Sequence, residues 1–180
     1  MRDPVSAEQN TALDRSTTRR RAFVVGATTI SGVVAASSEV EAQVTANPKY
    51  FNPAGMFSPP TYSQVVEVTG PNKTIYIAGQ TGVDAGGKTV EGGFHAQIVQ
   101  VMENLKVALA SAGASFDNVV KINSCLTDME KNATEYRAVR AQYFTNKAAQ
   151  PASTLVQVGR LADPTQLVEV EVIAVVPLKA

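Results

Sequence analysis

The stretch LVEVEVIAVV, residues 167–176, decides the fold of this chain because two glutamates interrupt an otherwise apolar β-strand pattern. Successive side chains of a strand point to opposite faces of a sheet. One face carries the valines Val168, Val170 and Val172. The other face starts with Glu169 and Glu171 and continues into Ile173 and Val175. Such a face indicates partial cover, at the mouth of a cleft or beside a partner subunit. The alternative is an edge strand whose charges prevent aggregation, and spacing alone favours that alternative.

A long amphipathic helix is the element that the rest of the sequence predicts most clearly. Gly113 follows its last apolar residue, where a helix commonly ends. Apolar residues recur at the helical spacing of three and four, namely Phe94, Ile98, Val101, Met102, Leu105, Ala108, Leu109 and Ala112. A second, weaker helix is predicted over residues 132–146.

The remaining segments predict strands. YSQVVEVTG and KTIYIAGQ, separated by Gly70, Pro71 and Asn72, predict a β-hairpin. NVVKINSCLTD and STLVQVG add two more strands. The resulting order predicts one α+β domain over residues 62–180, with two helices on one face of a mixed sheet. The uncovered face is expected to be buried by oligomerisation.

The proline-rich segment at residues 43–61 is predicted to be an arm without regular strand pairing. Its prolines are Pro48, Pro53, Pro59 and Pro60. Proline lacks a backbone N–H and cannot complete a hydrogen-bonded ladder.

Composition excludes several functional classes. The 180 residues are 44% hydrophobic and carry 16 basic and 16 acidic side chains, so the formal net charge is zero. A neutral chain offers no electrostatic footprint for a phosphate backbone, and nucleic acid is not an expected partner. The single cysteine excludes an intrachain disulfide.

Residues 1–42 have the layout of a cleaved signal peptide. Arg19–Arg21 precede a mildly apolar run from Ala22 to Ala36, which is shorter than the ~20 residues of a membrane-spanning helix. Arg20 and Arg21 resemble a twin-arginine signal, which predicts export in the folded state. We expect cleavage ahead of Gln43. The mature protein is then expected to be periplasmic or secreted, without stable membrane insertion. A disordered basic tail and an organelle presequence are the alternatives, and Asp3, Glu8 and Asp14 argue against the presequence.

Few residues offer catalytic chemistry. His95, the only histidine, begins the long helix and is expected to be solvated, so a histidine metal site is not predicted. Cys125 is interpreted as a small buried hydrophobe rather than a nucleophile. DAGGK, residues 84–88, is interpreted as a turn because it lacks the spacing of a phosphate loop. A strand glutamate beside apolar groups suits proton exchange with a bound water.

Several ordered motifs together resemble the YjgF/RidA family of enamine and imine deaminases. The resemblance covers residues 62–175. The motifs are PTYSQ (60–64), IYIAGQTG (75–82), ENLKVALASAGASFDNVVKINSCLTDM (103–129), YFTNKAAQPASTLVQVGRL (143–161) and VEVEVIAV (168–175). The resemblance implies a chorismate-mutase-like fold and a homotrimer whose sheets form a central barrel, with clefts between subunits.

The resemblance also implies roles for individual residues. Glu169 matches the glutamate that positions the hydrolytic water, and Glu171 matches a second acid with a structural role. Tyr62 matches a tyrosine at the border of the cleft. Gly79 matches the glycine whose backbone contacts the ligand. Neither a metal nor an organic cofactor is implied.

Position 153 departs from the family pattern. Active deaminases carry arginine directly after the Pro-Ala dipeptide, whereas Pro151-Ala152 is followed here by Ser153. A serine hydroxyl cannot replace the two parallel bonds of a guanidinium to a carboxylate. The expected ligand is an imine, enamine or carbonyl compound without an α-carboxylate, or one held through Ser153, Thr154, Leu155 and backbone amides. Arg137 or Arg140 of a neighbouring subunit could replace the missing arginine, but both are expected on solvated helix faces.

Three functions remain open at this point. The first is an exported hydrolase of imines or enamines that releases ammonia. The second is a trimeric binding module that retains the pocket without turnover. The third is a protein-interaction or chaperone-like role of the barrel surface.

Overall fold

A computed structural model describes residues 48–178, which form six strands, two α-helices and a short 3₁₀ turn at Phe116–Asn118. In chain order these are β1 (Lys49–Phe51), β2 (Val65–Glu67), β3 (Asn72–Thr81), α1 (Gly93–Ser111), β4 (Val119–Leu126), α2 (Met129–Tyr143), β5 (Ala152–Gln157) and β6 (Val168–Pro177). The predicted signal peptide and its cleavage point lie outside the described residues. Within residues 48–178, no helix is long and apolar enough to cross a bilayer.

The glutamate-bearing strand β6 is an inner strand of a four-stranded mixed sheet. The strand order is β3-β6-β4-β5, with β6 antiparallel to both of its neighbours and β4 parallel to β5. The edge-strand explanation for Glu169 and Glu171 is therefore wrong. Their face of the sheet needs another explanation.

The predicted hairpin of the first two strands is also wrong. β2 pairs antiparallel with β1, with Tyr50 opposite Val66, and these two strands form a separate small sheet. The predicted arm at 43–61 thus contains a short strand. Lys49–Phe51 can pair because Pro48 and Pro53 flank it rather than interrupt it.

Both predicted helices are present, and the second lies three residues nearer the N-terminus than predicted. Gly113 follows α1 at a φ of +70°, which is the left-handed conformation that commonly ends a helix. α2 begins at Met129, three residues before the predicted start, because the Asp128 side chain accepts a hydrogen bond from Lys131 N at 3.1 Å. This N-cap satisfies one of the free N–H groups of the first turn.

The hydrophobic core lies between the helices and one face of the four-stranded sheet. α1 packs on β3 and β6, and α2 packs on α1 and β4. The sheet contributes fully buried side chains to this core, including Ile122, Leu126, Val168, Val170 and Ala174. The prediction of an α+β domain with two helices on one face of a mixed sheet is confirmed.

The opposite face of the same sheet, which we call the open face, is not covered by any helix of the described chain. It presents polar and apolar side chains together, among them Tyr76, Lys121, Asn123, Cys125, Glu169, Glu171 and Ile173. Tyr76 is 77% exposed, which is unusual for a large aromatic side chain in a sheet.

Candidate functional site

Glu169 and Gly79 lie together on the open face. A Cβ atom at position 79 would lie 1.8 Å from Glu169 Oε1, so the glutamate side chain occupies the space that any other residue at 79 would need. Glu169 is partly buried. The glycine therefore allows the carboxylate to lie directly against the backbone of β3.

Glu171 occupies a different environment on the same face. It is exposed, and its Oε1 accepts a hydrogen bond of 2.7 Å from Asn123 Nδ2 on β4. This bond links β4 and β6 across the sheet. The two glutamates of the motif thus differ, because Glu171 has a side-chain donor and Glu169 lies against a glycine.

Cys125 faces Glu169 from the neighbouring strand, with the two residues directly opposite in register. It is only partly buried, so the prediction of a buried hydrophobic cysteine is wrong. Burial raises the pKa of the Cys125 thiol, and the charges of Glu169 and Glu171 raise it further. The thiol is therefore held in its neutral form, which is a poor nucleophile.

A pocket of about 390 Å³ lies beside the outer edge of the sheet, along β5. It brings together four of the predicted site residues, Tyr62, Ser153, Thr154 and Leu155. Backbone pairing explains the proximity of Tyr62, because Ser63 forms a bridge with Ala152 and its N–H donates to Pro151 O at 3.2 Å. Thr61, Tyr136, Arg137 and Arg140 complete the lining.

Arg140 is buried in the wall of this pocket, with 6% of its surface exposed, so the expectation of a solvated position is wrong. Its Nη1 donates to Thr61 O at 2.9 Å, and the guanidinium lies over the Phe144 ring at 4.6 Å. Burial lowers the pKa of Arg140, and Tyr136 opposes that shift. Arginine nevertheless remains charged at physiological pH.

Tyr136 lies one helical turn before Arg140 and lines the same pocket. Its hydroxyl is hydrogen-bonded to Ser124 on β4, and burial raises its pKa. From the sequence, Tyr136 was not assigned to the site, and Arg140 was considered only as a contribution from a neighbouring subunit. Their spacing of four residues is the available signal, because it places both on the helix face that packs against the sheet.

The predicted site residues fall into two separate groups in one chain. Glu169 and Gly79 lie on β6 and β3, whereas Tyr62, Ser153, Thr154 and Leu155 lie at β5. β4 separates the groups, and two strand spacings correspond to roughly 10 Å. Glu169 is not among the residues that line the pocket.

His95 belongs to neither group. Its Nδ1 lies 2.9 Å from Glu135 Oε1, and the histidine side chain is 64% exposed, in agreement with the expected solvated position. Residues 48–178 contain no cluster of side chains that could hold a metal ion. Asp84–Lys88 forms the predicted turn, in which the Asp84 side chain accepts from Gly86 N and Lys88 N.

Comparison with known proteins gives consistent results. The sequence profile described as Endoribonuclease L-PSP matches residues 57–176, more than half of the chain. A 2-iminobutanoate/2-iminopropanoate deaminase from Mus musculus is 39% identical over 115 residues, which cover 63% of this chain and 80% of that protein.

Solved structures agree with the fold. A Rid-family protein of unknown function from Yersinia pestis matches with a TM-score of 0.62 at 32% identity, over 72% of this chain and 99% of that one. RidA from an Antarctic Psychrobacter bacterium matches with a TM-score of 0.53 at 37% identity, over 67% of this chain and 92% of that one.

Proposed function

We propose that this chain, which belongs to the endoribonuclease L-PSP (YjgF/RidA) family, hydrolyses reactive imines and enamines and releases ammonia. In this reaction water adds to the carbon of the C=N bond, the nitrogen takes up protons, and ammonia leaves as the carbonyl forms. The protein must hold the imine, orient the water and transfer protons. The relatives named as deaminases support this reaction class.

The contact between Glu169 and Gly79 is the observation that carries the proposal. A carboxylate seated against a strand backbone is fixed in position, and an oriented carboxylate can accept a proton from a water molecule. In the proposed site, backbone polar groups beside Gly79 would contact the substrate at the same place. Ser153 stands where the resemblance leads one to expect arginine, so the substrate is held differently here.

The separation of the two groups of site residues supports an assembly in which neighbouring copies share each site. We propose a homotrimer in which the open face of each sheet is buried in a central barrel. The β5 pocket of one copy would then lie beside Glu169 of the next. The exposed Tyr76 and the partly apolar character of the open face support this arrangement.

Export to the periplasm or beyond is a further part of the proposal. It rests on Arg19–Arg21 and on the apolar run that follows them. Because the twin-arginine pathway transports folded proteins, the domain at residues 62–180 would be exported already folded.

Glu169→Gln tests the hydrolase directly. Imines are generated in situ from amino acids and amines by the corresponding oxidases, and ammonia release is followed with the full chain. General acid–base catalysis contributes about 10²–10⁴-fold, and we expect a loss of that order in Glu169→Gln. Glu171→Gln is the matched control, since it removes the other carboxylate of the same strand, and it should retain most of the activity.

Equal rates for wild type and Glu169→Gln would reject the hydrolase. Thermal stabilisation by carbonyl ligands without turnover would instead support the binding module, because a ligand that binds only the native state raises its apparent stability. The assay therefore separates the two functions with one set of proteins.

The name of the family suggests endoribonuclease activity as a second candidate function. The formal net charge of zero gives little attraction for RNA. His95, the only histidine of the chain, is not among the residues that line the pocket. Imine hydrolysis is the better supported activity.

A further inference from the structure

The guanidinium of Arg140 is buried but only partly hydrogen-bonded. Nη1 donates to Thr61 O, whereas Nε and Nη2 have no hydrogen-bond partner within residues 48–178. A buried charged group without partners is costly, because desolvation is not offset. A further partner for these two nitrogens would offset that cost.

The two unpaired nitrogens belong to one edge of the guanidinium. The N–H bonds of Nε and Nη2 on this edge are parallel, and their spacing matches the two oxygens of a carboxylate. This edge is the one that arginine uses for bidentate recognition. The bond to Thr61 therefore anchors the guanidinium and leaves its carboxylate-binding edge free.

The pocket that Arg140 lines has the complementary charge. Arg137 also lines it, and no aspartate or glutamate is present among the described lining residues. On the neighbouring strand, Lys121 Nζ donates to Thr154 Oγ1 at 2.8 Å and adds a third positive charge close to β5. An anionic ligand would be attracted to this end of the pocket.

We propose that Arg140 binds the carboxylate of the substrate through its Nε and Nη2 edge, in place of an arginine at position 153. Ser153 and Arg140 line one pocket, Ser153 from β5 and Arg140 from α2. The inference rests on the proposed function and names the residue that selects substrates with a carboxylate beside the C=N bond.

Binding requires a movement of the Arg140 side chain. Nε and Nη2 are closed off from solvent, so the guanidinium must turn toward the pocket to meet a carboxylate. One hydrogen bond and the contact with Phe144 hold the guanidinium in its present position.

Binding of pyruvate and of pyruvamide to the full chain tests the inference without turnover. The two compounds differ only in the carboxylate, and titration calorimetry gives both affinities. We expect pyruvate to bind more tightly than pyruvamide. Arg140→Met should weaken pyruvate binding by about tenfold to hundredfold and leave pyruvamide binding unchanged. Arg160→Met, which removes the same charge from an exposed loop, should leave both affinities unchanged.

Arg140→Lys keeps the test decisive if Arg140→Met does not fold, as monitored by circular dichroism. Lysine retains the charge but lacks the parallel donors, so pyruvate affinity should still fall. Equal affinity for pyruvate and pyruvamide would overturn the inference. Wild-type pyruvate binding by folded Arg140→Met, or a loss confined to Arg137→Met, would also overturn it.

The outcomes distinguish this inference from the proposed function. Ammonia release that does not depend on Glu169 would reject the hydrolase, while pyruvate binding that depends on Arg140 would still stand. If ammonia release depends on Glu169 but pyruvate affinity is the same with and without Arg140, only the role of Arg140 is rejected.

Discussion

The two faces of the four-stranded sheet differ in how they are covered. Beneath α1 and α2, most sheet side chains are aliphatic and buried, as at Ile122, Val168 and Val170. On the open face, the alternate positions of the same strands carry Asn123, Glu169 and other polar groups. One pattern of alternation therefore produces a core on one side and a chemically mixed surface on the other.

The two faces therefore serve different purposes, because one stabilises the fold and the other carries the groups proposed for function. The helix-covered face is stabilised by apolar burial within one chain, and it needs no charged group. The open face carries the carboxylates and is left uncovered by the described chain. Substitutions on the two faces should therefore change different measured quantities.

Leu105→Ala is expected to have the largest effect on the free energy of unfolding. Leu105 is fully buried on α1 in the core, and truncation of such a leucine costs about 2–5 kcal/mol. Val107→Ala on the same helix is the control, because Val107 is 69% exposed and should change stability by less than about 0.5 kcal/mol. Urea unfolding measures both. Equal losses would show that α1 is not packed as described.

Tyr76→Asp tests the open face. If that face is buried between copies, a new carboxylate there should raise the dissociation constant of the assembly at least about tenfold. The unfolding free energy of the single chain should change little, since Tyr76 is exposed within it. Analytical ultracentrifugation over a range of concentrations measures the first effect.

Thr134→Asp is the control for charge, because it places the same group on an exposed position of α2. It should leave the dissociation constant unchanged. An unaltered assembly in Tyr76→Asp would show that the open face is not the interface.

The elements that the sequence predicted correctly are those with a local signal. The spacing of three and four in α1 follows from one helix packing on one core, and the alternation in β6 follows from a sheet with unlike faces. The choice of which strand pairs with which has no such local signal in the sequence. The turn at Gly70–Asn72 correctly marks the start of β3, yet β2 pairs with β1, because the pairing is decided by contacts distant in sequence.

The candidate site was predicted in part for the same reason. Glu169 and Gly79 were identified through the motifs around them, and the structure places them in contact. Arg140 was considered only as a contribution from a neighbouring subunit and was expected to be solvated, because an arginine in a weakly amphipathic helix is typical of a solvated face. Its burial depends on Thr61, 79 residues earlier in the chain, whose carbonyl accepts from Nη1.

Tyr143→Phe tests whether polar contacts also stabilise the helix-covered side. The Tyr143 hydroxyl on α2 donates to Glu103 Oε1 on α1 at 2.9 Å, and loss of this bond should cost about 1 kcal/mol near neutral pH. Burial and the contact with Glu103 raise the pKa of Tyr143 to about 12. Because this pKa lies above the usual value of about 10, the native state favours the neutral hydroxyl. The stabilisation is complete below pH 10 and is lost as the pH rises toward 12. The difference in unfolding free energy between wild type and Tyr143→Phe should therefore shrink over that range, and a difference independent of pH would show that the hydroxyl and Glu103 do not interact.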